Sequence, residues 1–391
     1  MGAVKWISLI VWAALSAADF IVWRRMVASR CDRRFTSLFA VTVLVLDLSP
    51  HFFSLLGWLL PDYSLWFVRA AMWNYTIYII LLFLRGTFYL FLPFARSRRM
   101  IVAGSLAAVA VTCVPVAGLL SGRKRIETRR VTIRSERLPD GFRGFRVLQF
   151  SDLHVGTMLD PEAETAAVVE AINYEKPDLV IFSGDIVSIR YDEITDRIAE
   201  LLSGIEAPVW SSVGNHDIGI YVKDTVSLPA EVNRRMILDI ERSTGWNIID
   251  DESVWLHRNG DSITLSGVSF PEEYYDVRHD SELPETDLSA VYGDISADPF
   301  NITVCHLPQL WDEIVDFGYG DLTLAGHYHG SQAGIRLFGR RWSPAQLIHR
   351  EWSGLYERDG HLLYINDGIG YVSMFMRIGM PPEITVFTFE K

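Results

Sequence analysis

Side chains that can ligate metal ions follow each of the apolar runs that we interpret as buried strands between residues 145 and 329. They are Asp152, His154, Asp185, Asn215, His216, His306, His327 and His329. Five of the ten histidines of the chain belong to this set, so imidazoles are concentrated at these positions. Because the carboxyl ends of parallel strands converge at one edge of an open α/β sheet, we expect these side chains to meet there.

The stretch "LTLAGHYHG", residues 322–330, places two histidines one residue apart after an apolar run. On its own it has two interpretations. In a buried strand that runs into a turn, each histidine would simply be held by hydrogen bonds. Alternatively, imidazoles at positions i and i+2 point to two neighbouring metal positions, while the glycines let the backbone approach closely. Only the rest of the chain distinguishes the two.

The complete set, with His216 set aside, contains seven ligands. That number is too large for one tetrahedral zinc ion and suits a pair of metal ions that share a bridging carboxylate. Two cations roughly 3.5 to 4 Å apart can hold a phosphoryl group, lower the pKa of a bridging water and stabilise the attacking and leaving oxygens together. The set therefore favours phosphoester hydrolysis.

Each of these residues, taken singly, also has a structural explanation. Asp152 is compatible with a helix cap, Asp185 with a turn, and Asn215 with a left-handed residue before a turn. His306 is compatible with a hydrogen-bonded strand end. Only the order of the whole set along the chain favours the metal site.

The elements that must position these side chains alternate between strands and helices. A hairpin with Asn259 and Gly260 at its turn is predicted over residues 254–268. The other predicted strands cover residues 145–154, 178–185, 208–216, 301–306, 322–329, 362–367 and 383–389, and the helices cover residues 161–177, 230–243 and 310–317. This alternation predicts an α/β domain in which helices cover the sheets.

The first 122 residues are dominated by apolar stretches, in a chain of 391 residues that is 49% hydrophobic. A cleaved signal peptide is the alternative for the first stretch, but only Lys5 precedes it as a basic residue. We predict four transmembrane helices over residues 1–122, a linker and entry strand over residues 123–142, and a soluble domain over residues 143–391. The four stretches approach or exceed the ~20 residues that cross a bilayer, and they run from Ile7 to Trp23, Phe35 to Leu60, Leu65 to Phe94 and Ile101 to Leu120.

The basic residues of the loops predict how these helices are oriented. By the positive-inside rule the first and third loops are cytoplasmic, which places the soluble domain outside the cytoplasm. The basic residues of the linker "SGRKRIETRR", residues 121–130, oppose this orientation. The basic residues that support it are Arg24, Arg25, Arg30, Arg33 and Arg34 in the first loop and Arg96, Arg98 and Arg99 in the third.

Charge is divided unevenly between the two parts of the chain. Residues 1–122 hold eleven basic and four acidic side chains, so the remainder of a chain whose total charge is −12 carries −19. A domain this acidic is a poor nucleic-acid binder, and no nucleic-acid partner is expected. Within or near the apolar stretches lie Asp47, Arg69 and Arg85. Three roles are open for these residues: a structural ion pair, snorkelling at helix ends, or a site for a lipid headgroup.

Five short motifs, "SDLHVG", "SGDIV", "VGNHD", "CHLP" and "AGHYHG", occur in this order, and together they resemble the calcineurin-like metallophosphoesterase superfamily. The resemblance covers residues 143–391 and implies a four-layer α/β/β/α sandwich. The apolar N-terminal stretches and the tail "SGLYERDGHLLYINDGIG" are similar to the membrane-associated branch of bacterial phosphoesterases. Some relatives of that branch act on UDP-2,3-diacylglucosamine or other lipid phosphoesters.

The resemblance also implies a role for each residue of the set. Asp185 bridges two divalent metal ions, whose identity among Mn, Fe, Zn and Co stays open. His216 contacts the substrate phosphate and protonates the leaving oxygen, and Asp217 is placed to orient His216. The ligands of the first ion are Asp152, His154 and His329, and those of the second are Asn215, His306 and His327.

The resulting hypothesis is a multi-pass phosphoesterase of the bacterial inner membrane. Its partners are the lipid bilayer and a phosphoester substrate, with UDP-2,3-diacylglucosamine as one example. The alternatives are an inactive membrane sensor or scaffold and a four-helix transport subunit with an accessory domain. Substrate choice is assigned to three loops, residues 218–228, 270–300 and 336–354.

Two features of these loops have open interpretations. Tyr274 and Tyr275 lie side by side in the acidic middle loop, which is either a lid over an amphiphilic substrate or a mobile solvated loop. In the third loop, Arg336, Arg340 and Arg341 either pair with a second phosphate or a headgroup, or are exposed on a turn.

Overall fold

The structure is a computed structural model that describes residues 14, 16–24, 32–91, 97–269, 287–338 and 340–391. The chain divides into two compact units, Met1–Ala117 and Gly118–Lys391. The first unit is helical where it is described, and the second contains the α/β fold.

The first unit contains three described helices that are long and apolar enough to cross a membrane. They are α1 (Arg33–Leu59), α2 (Leu65–Phe91) and α3 (Arg98–Ala117). The apolar stretch of α3 continues to Gly122 through a turn of π-helix. The fourth predicted span, Ile7 to Trp23, lies largely outside the described residues, although residues 16–22 are helical. The structure therefore supports three of the predicted spans, and the fourth stays a prediction.

Two of the ionisable residues noted in the apolar stretches form ion pairs. The guanidinium of Arg85 on α2 lies 2.9 Å from a carboxylate oxygen of Asp47 on α1 and 3.0 Å from one of Asp19. Tyr89, one helical turn along α2, donates its hydroxyl to Asp19. Because unpaired charge is costly in lipid, this arrangement fits the structural ion pair. Asp19 is the third member of this ion-pair cluster, and the apolar pattern around it did not indicate this role.

The second unit contains two six-stranded mixed sheets and one small hairpin. The first sheet has the order β1-β14-β2-β3-β4-β5 and the second the order β12-β13-β9-β8-β7-β6. The strands are β1 (Glu127–Arg134), β2 (Arg146–Phe150), β3 (Leu179–Phe182), β4 (Val209–Ser211), β5 (Asn247–Ile248), β6 (Glu252–Arg258), β7 (Asp261–Val268), β8 (Asn301–Cys305), β9 (Leu322–Ala325), β10 (Ile335–Leu337), β11 (Arg340–Trp342), β12 (Gly354–Arg358), β13 (His361–Ile365) and β14 (Glu383–Glu390). These mixed sheets confirm the α/β class.

Side chains of alternate strand positions pack the two sheets face to face. Val147 and Ile181 of the first sheet share one buried cluster with Ile302 and Leu324 of the second. The helices of this unit are α4 (Pro161–Glu175), α5 (Asp196–Leu202), α6 (Ala230–Ser243), α7 (Leu288–Tyr292) and α8 (Trp311–Asp316). Residues of α4, α5 and α6 pack with β2 and β3 in a second cluster, and residues of α8 pack with β9 and β13 in another. Helices thus cover the sheets, as predicted.

Local sequence signals determine several of these boundaries. Helix α4 begins with Pro161 after Asp160, whose carboxylate accepts a hydrogen bond from the N–H of Ala163 at 3.2 Å. At the predicted hairpin turn, Asn259 and Gly260 both have positive φ angles, of 52° and 86°. This is the conformation that a two-residue type I′ turn requires.

The segment predicted as a linker and entry strand, residues 123–142, contains β1. Residues 127–130 form the first half of β1, which pairs in parallel with β14. The guanidinium of Arg129 is mostly enclosed there and lies 2.6 Å from a carboxylate oxygen of Asp367 and 2.6 Å from one of Glu383. Nothing in the local sequence indicated that the Arg129 side chain would be enclosed, because basic residues usually face water. Asp367 and Glu383, which are buried and distant in sequence, compensate the charge of Arg129 and so allow its side chain to pack inside the domain.

Candidate metal centre

The predicted site residues converge at one edge of the two sheets. Strands β2, β3 and β4 run parallel, as do β8 and β9, so the loops after these strands leave on the same side of each sheet. Asp152, His154, Asp185, Asn215, His306 and His329 are buried, and His216 and His327 are partly exposed. Most of these side chains are therefore removed from bulk water, and the site is accessible to solvent at His216 and His327.

The side chains form overlapping groups whose possible ligand atoms lie within 4.8 Å of one another. One group contains Asp152, His154 and His329, in which Nε2 of His329 lies 3.2 Å from Oδ1 of Asp152. The other contains Asp185, His306 and His327, and Nε2 of His306 lies 3.1 Å from Oδ2 of Asp185.

The two groups meet at Asp185. The same Oδ2 atom lies 3.6 Å from Nε2 of His154 in the first group, and Oδ1 of Asp185 accepts a hydrogen bond from the backbone N–H of His216 at 2.8 Å. Asp185 also forms a third such group with His154 and His216. One carboxylate thus contacts both halves of the site.

Hydrogen bonds fix the orientation of two imidazoles. Nδ1 of His154 lies 3.0 Å from the carbonyl oxygen of Val187, and Nδ1 of His306 lies 2.6 Å from that of Ser183. A carbonyl oxygen can only accept, so each Nδ1 carries its hydrogen and the lone pair of the neutral ring is on Nε2. This arrangement is typical of metal-ligating histidines.

Asn215 gives a second test of whether the residues fit a metal ion. Its side-chain oxygen is buried and has no hydrogen-bond partner among the described residues. A buried unsatisfied oxygen costs about 1–3 kcal/mol unless something compensates it. A cation bound to this oxygen would do so, and the side chain of Asn215 therefore fits a divalent metal ion.

Charge in the cluster also favours a cation. Burial raises the pKa values of Asp152 and Asp185, but neighbouring imidazoles outweigh burial and hold both pKa values below the usual range. Burial lowers the pKa of His306, yet the Asp185 carboxylate overcomes this and raises it to about 10. Burial lowers the pKa of His327 to about 3. The anionic carboxylates thus attract a positive charge to the ring nitrogens, and a proton or a divalent cation can supply it.

The backbone of the site is strained. Positive φ angles, rare for residues with a Cβ atom, occur at Asp152 (52°), His154 (47°), Asp185 (64°), His327 (77°) and His329 (52°). Such strain costs of order 1–3 kcal/mol per residue and clusters at functional sites. Gly214 allows the loops to approach, because a Cβ atom there would collide with the carboxylate and backbone nitrogen of Asp185.

Asp217 forms no hydrogen bond with the ring of His216 among the described residues, so the structure does not support the predicted orienting contact. Its carboxylate instead accepts hydrogen bonds from the backbone N–H groups of Asp185 at 2.7 Å, Ile186 at 2.9 Å and Gly214 at 2.9 Å. The N–H of Val187 also donates to it at 3.3 Å. Because four donors from two loops converge on it, the side chain points away from its sequence neighbour. Asp217 thus fixes the backbone that carries Asp185.

We expect Asp217→Asn to lower stability without changing how leaving groups are discriminated. The amide nitrogen cannot accept the N–H groups, and leaving one of them unsatisfied costs about 2 kcal/mol. This corresponds to a fall in the melting temperature of the full chain by about 5 °C. Asp192→Asn, at an exposed carboxylate, is the control and should melt like the unmodified protein. An unchanged melting temperature together with a new leaving-group preference would restore the orienting role.

His216 is positioned by Ser188 and Tyr221, which no sequence motif indicated. Its Nδ1 atom lies 2.5 Å from the carbonyl oxygen of Ser188, which leaves Nε2 as the free ring nitrogen. The ring of Tyr221 stacks on it with centroids 4.1 Å apart, and the ring of His154 lies edge-on at 4.6 Å. Tyr221 belongs to the first predicted substrate loop, the one signal that could have identified it.

Arg377 also lies beside the site, and no sequence motif indicated it. Its guanidinium is buried and donates to the backbone oxygens of Gly370 at 2.8 Å and Asp367 at 3.0 Å. One guanidinium nitrogen lies 3.4 Å from Nδ1 of His329. It adds a fixed positive charge behind the carboxylates.

The residues singled out in the other two predicted substrate loops have different outcomes. Tyr274 and Tyr275 lie outside the described residues, so the predicted lid is not described. In the third loop, Arg336 pairs with Glu127 and Arg341 pairs with Asp367, so these two guanidinium groups do not form a phosphate site. Arg340 is exposed.

Residues 145–331 match the family model described as calcineurin-like phosphoesterase. The metallophosphoesterase YkuE of Bacillus subtilis is 28% identical, and the match covers 75% of this chain and 98% of YkuE. UDP-2,3-diacylglucosamine pyrophosphatase LpxG of Chlamydia trachomatis is 25% identical, over 65% of this chain and 87% of LpxG. A transmembrane protein with a metallophosphoesterase domain from Danio rerio is 25% identical, over 96% of this chain and 87% of its own length.

Proposed function

We propose that this chain uses two metal ions to cleave lipid-linked phosphoesters. The premise is that the chain is a hydrolase with a calcineurin-like phosphoesterase domain at residues 145–331. The observation that carries the proposal is the pair of ligand groups that meet at Asp185. Two sites that share one carboxylate suit a phosphoryl group, whose oxygens can contact both ions.

We assign one ion to Asp152, His154 and His329 and the other to Asn215, His306 and His327, with Asp185 as the shared ligand. When bound, two divalent ions supply positive charge for the phosphoryl oxygens and an activated water. The hydrogen bonds from His154 and His306 to backbone carbonyls hold their Nε2 atoms towards the site. The metal could be Mn, Fe, Zn or Co, since all suit a mixed shell of carboxylate, amide and imidazole ligands.

His216 is assigned as the general acid. Its Nδ1 hydrogen is held by the carbonyl of Ser188, so Nε2 is the atom that can deliver a proton to the leaving oxygen. Tyr221 restricts rotation of the ring by stacking on it. A fixed imidazole beside the phosphoryl position is what leaving-group protonation requires.

The apolar helices support a substrate that resides in the bilayer. A tether raises the effective concentration of the domain only near the membrane, so it favours a phosphoester with a lipid part. The similarity to LpxG makes UDP-2,3-diacylglucosamine one substrate to examine. The chain is assigned as a multi-pass protein of a bacterial inner membrane, with four spans.

The loop charges favour an extracytoplasmic domain. Three of the five basic residues that opposed this orientation have partners within the folded domain: Arg123 pairs with Glu164, Arg129 with Asp367, and Arg130 with Glu175. A structural role thus accounts for their presence after the last helix. A cytoplasmic nucleotide-lipid would not reach an extracytoplasmic site, so a reporter fused after Lys391 decides which substrates are accessible.

The test is hydrolysis by the purified, manganese-loaded full chain. The panel contains UDP-2,3-diacylglucosamine, phosphatidic acid, mixed membrane phospholipids and the soluble esters p-nitrophenyl phosphate and bis-p-nitrophenyl phosphate. We expect product release from at least one lipid-linked substrate at a higher kcat/KM than from either soluble ester. Release from the soluble esters alone would contradict the lipid assignment. No release from any compound by metal-loaded protein would contradict the enzymatic assignment.

A further inference from the structure

A small amphipathic hairpin follows the metal-site histidines. In this hairpin, β10 and β11 are antiparallel and pair Ile335 with Trp342, Arg336 with Arg341, and Leu337 with Arg340. Directly opposite residues of an antiparallel pair share a face, and successive residues alternate between faces. One face therefore contains three apolar side chains and Arg340, and the other contains two arginines.

The arginine face is attached to the domain. Arg336 donates to both carboxylate oxygens of Glu127, each at 2.6 Å, and Arg341 lies 2.8 Å from an oxygen of the buried Asp367. Arg341 also lies over the ring of Trp352, with its guanidinium carbon 5.7 Å from the centroid. These contacts turn the apolar face outward.

The apolar face is exposed to a degree that is unusual for a water-facing surface. The exposed fractions are 53% for Ile335, 49% for Leu337 and 47% for Trp342, and Phe338 directly after β10 is fully exposed. The turn that follows β11 adds Leu347, at 76%. Clustered large apolar side chains on a soluble surface mark a contact with a protein or a membrane.

Charge distinguishes between these two partners. Residues 334–350 contain four arginines and no acidic residue, whereas residues 123–391 as a whole carry a net charge of −19. A local cluster of basic and aromatic residues in an acidic domain is complementary to anionic phospholipid headgroups. A second copy of the same acidic domain is a poor match.

The hairpin also lies where the chain enters this unit. Glu127, its ion-pair partner, is five residues after Gly122, at which the last membrane-length apolar stretch ends. Just before the hairpin, Gln332 and Gly334 exchange backbone hydrogen bonds with Ile378, each at 2.7 Å. The preceding residue, Arg377, donates its N–H to the carbonyl of Gly118 at 3.4 Å. The hairpin thus lies beside the segment 118–127, which connectivity places close to a bilayer.

We propose that the face formed by Ile335, Leu337, Phe338 and Trp342 inserts into the interfacial layer of an anionic phospholipid bilayer. Trp342 and Phe338 contribute apolar area, and Arg340 contacts headgroup phosphates. His327 and His329 precede the hairpin on the same stretch of chain, so insertion presents the site to phosphoesters at the bilayer surface. This consequence for the substrate rests on the proposed function, whereas insertion itself does not.

The first test measures depth directly in the full chain. With Cys31→Ser and Cys113→Ser as background and the buried Cys305 retained, a bimane label is attached to Phe338→Cys in nanodiscs of phosphatidylcholine and phosphatidylglycerol. The control label is at Tyr174→Cys, an 80% exposed residue near the C-terminal end of α4. We expect doxyl-labelled lipids to quench the label at position 338 by at least twice as much as the control label. Equal quenching at both positions would overturn the proposal, and so would bimane self-quenching that grows with the number of chains per disc.

The second test separates this proposal from the proposed function. Phe338→Asp should lower kcat/KM about tenfold for a phosphoester embedded in vesicles, because burial of one phenylalanine side chain is lost, and leave p-nitrophenyl phosphate hydrolysis unchanged. Tyr174→Asp is the matched control and should change neither. An equal effect of Phe338→Asp on both substrates would overturn the proposal. If no lipid-linked substrate is hydrolysed at all, the proposed substrate class fails while the quenching result still decides insertion.

Discussion

Asp185→Asn is expected to abolish phosphoester hydrolysis, lowering kcat/KM by about a thousandfold or more. Asp185 is the residue at which the two ligand groups meet, with Oδ2 3.1 Å from His306 and 3.6 Å from His154. Asparagine keeps the shape and the acceptor for the His216 N–H but removes the negative charge. Loss of metal-assisted charge stabilisation amounts to about 4 kcal/mol, or about three powers of ten in rate.

The measurement is steady-state hydrolysis together with bound metal per chain. The control is Asp192→Asn, which removes an exposed carboxylate seven residues along the same loop. We expect the control to retain full activity and both proteins to have the same far-UV circular dichroism. Activity of Asp185→Asn within tenfold of the unmodified protein, at equal metal content, would contradict a bridging role.

His216→Gln has the second largest expected effect, and it depends on the leaving group. General acid catalysis contributes typically 10²–10⁴-fold, and only where the leaving oxygen needs a proton. We therefore expect kcat to fall about a thousandfold for alkyl phosphoesters and less than about tenfold for p-nitrophenyl phosphate, whose phenolate leaves without one. The contact of Nδ1 with the Ser188 carbonyl is what directs Nε2 to this role.

The two leaving groups serve as controls for each other. An equal loss for alkyl and p-nitrophenyl esters would mean that His216 binds the phosphoryl group rather than donating a proton. No loss for either ester would remove His216 from the reaction. Tyr221→Phe keeps the stacked ring and should retain the leaving-group dependence of the unmodified protein.

The sequence predicted the positions of the site residues because strand ends are encoded locally. The runs before Asp152, Asp185 and His306 are short and mostly apolar, and all three become strands that are buried over nearly their whole length. Parallel pairing then brings their ends together, which pattern and topology rules anticipate. Helix α6 likewise has the predicted boundaries, Ala230 and Ser243.

Contacts between residues distant in sequence could not be predicted in this way. Asp217 directly follows His216, which suggested that it orients the imidazole. The carboxylate of Asp217 instead accepts hydrogen bonds from backbone N–H groups of a loop about thirty residues earlier. The partner of His216 is a backbone carbonyl, that of Ser188, and any residue type supplies one. Arg129 was assigned to a linker because its buried carboxylate partners, Asp367 and Glu383, lie more than 200 residues later in the chain and could not be recognised from the local sequence.

The hairpin β10–β11 was missed for another reason. Each of its strands has three residues, too few to show an alternating pattern, and both are exposed. A strand is usually recognised by its buried face, and this hairpin buries none within the described residues of its own unit. Its arginines were noticed, but their partners Glu127 and Asp367 could only be assigned from the folded chain.

The proposed reaction requires two cations that share Asp185. Its most direct test is a titration of chelator-treated full chain with Mn²⁺, in which bound metal and p-nitrophenyl phosphate hydrolysis are measured on the same samples. We predict two ions per chain and activity that rises with the second. Full activity at one ion per chain, or activity that survives complete removal of metal, would contradict a two-metal reaction.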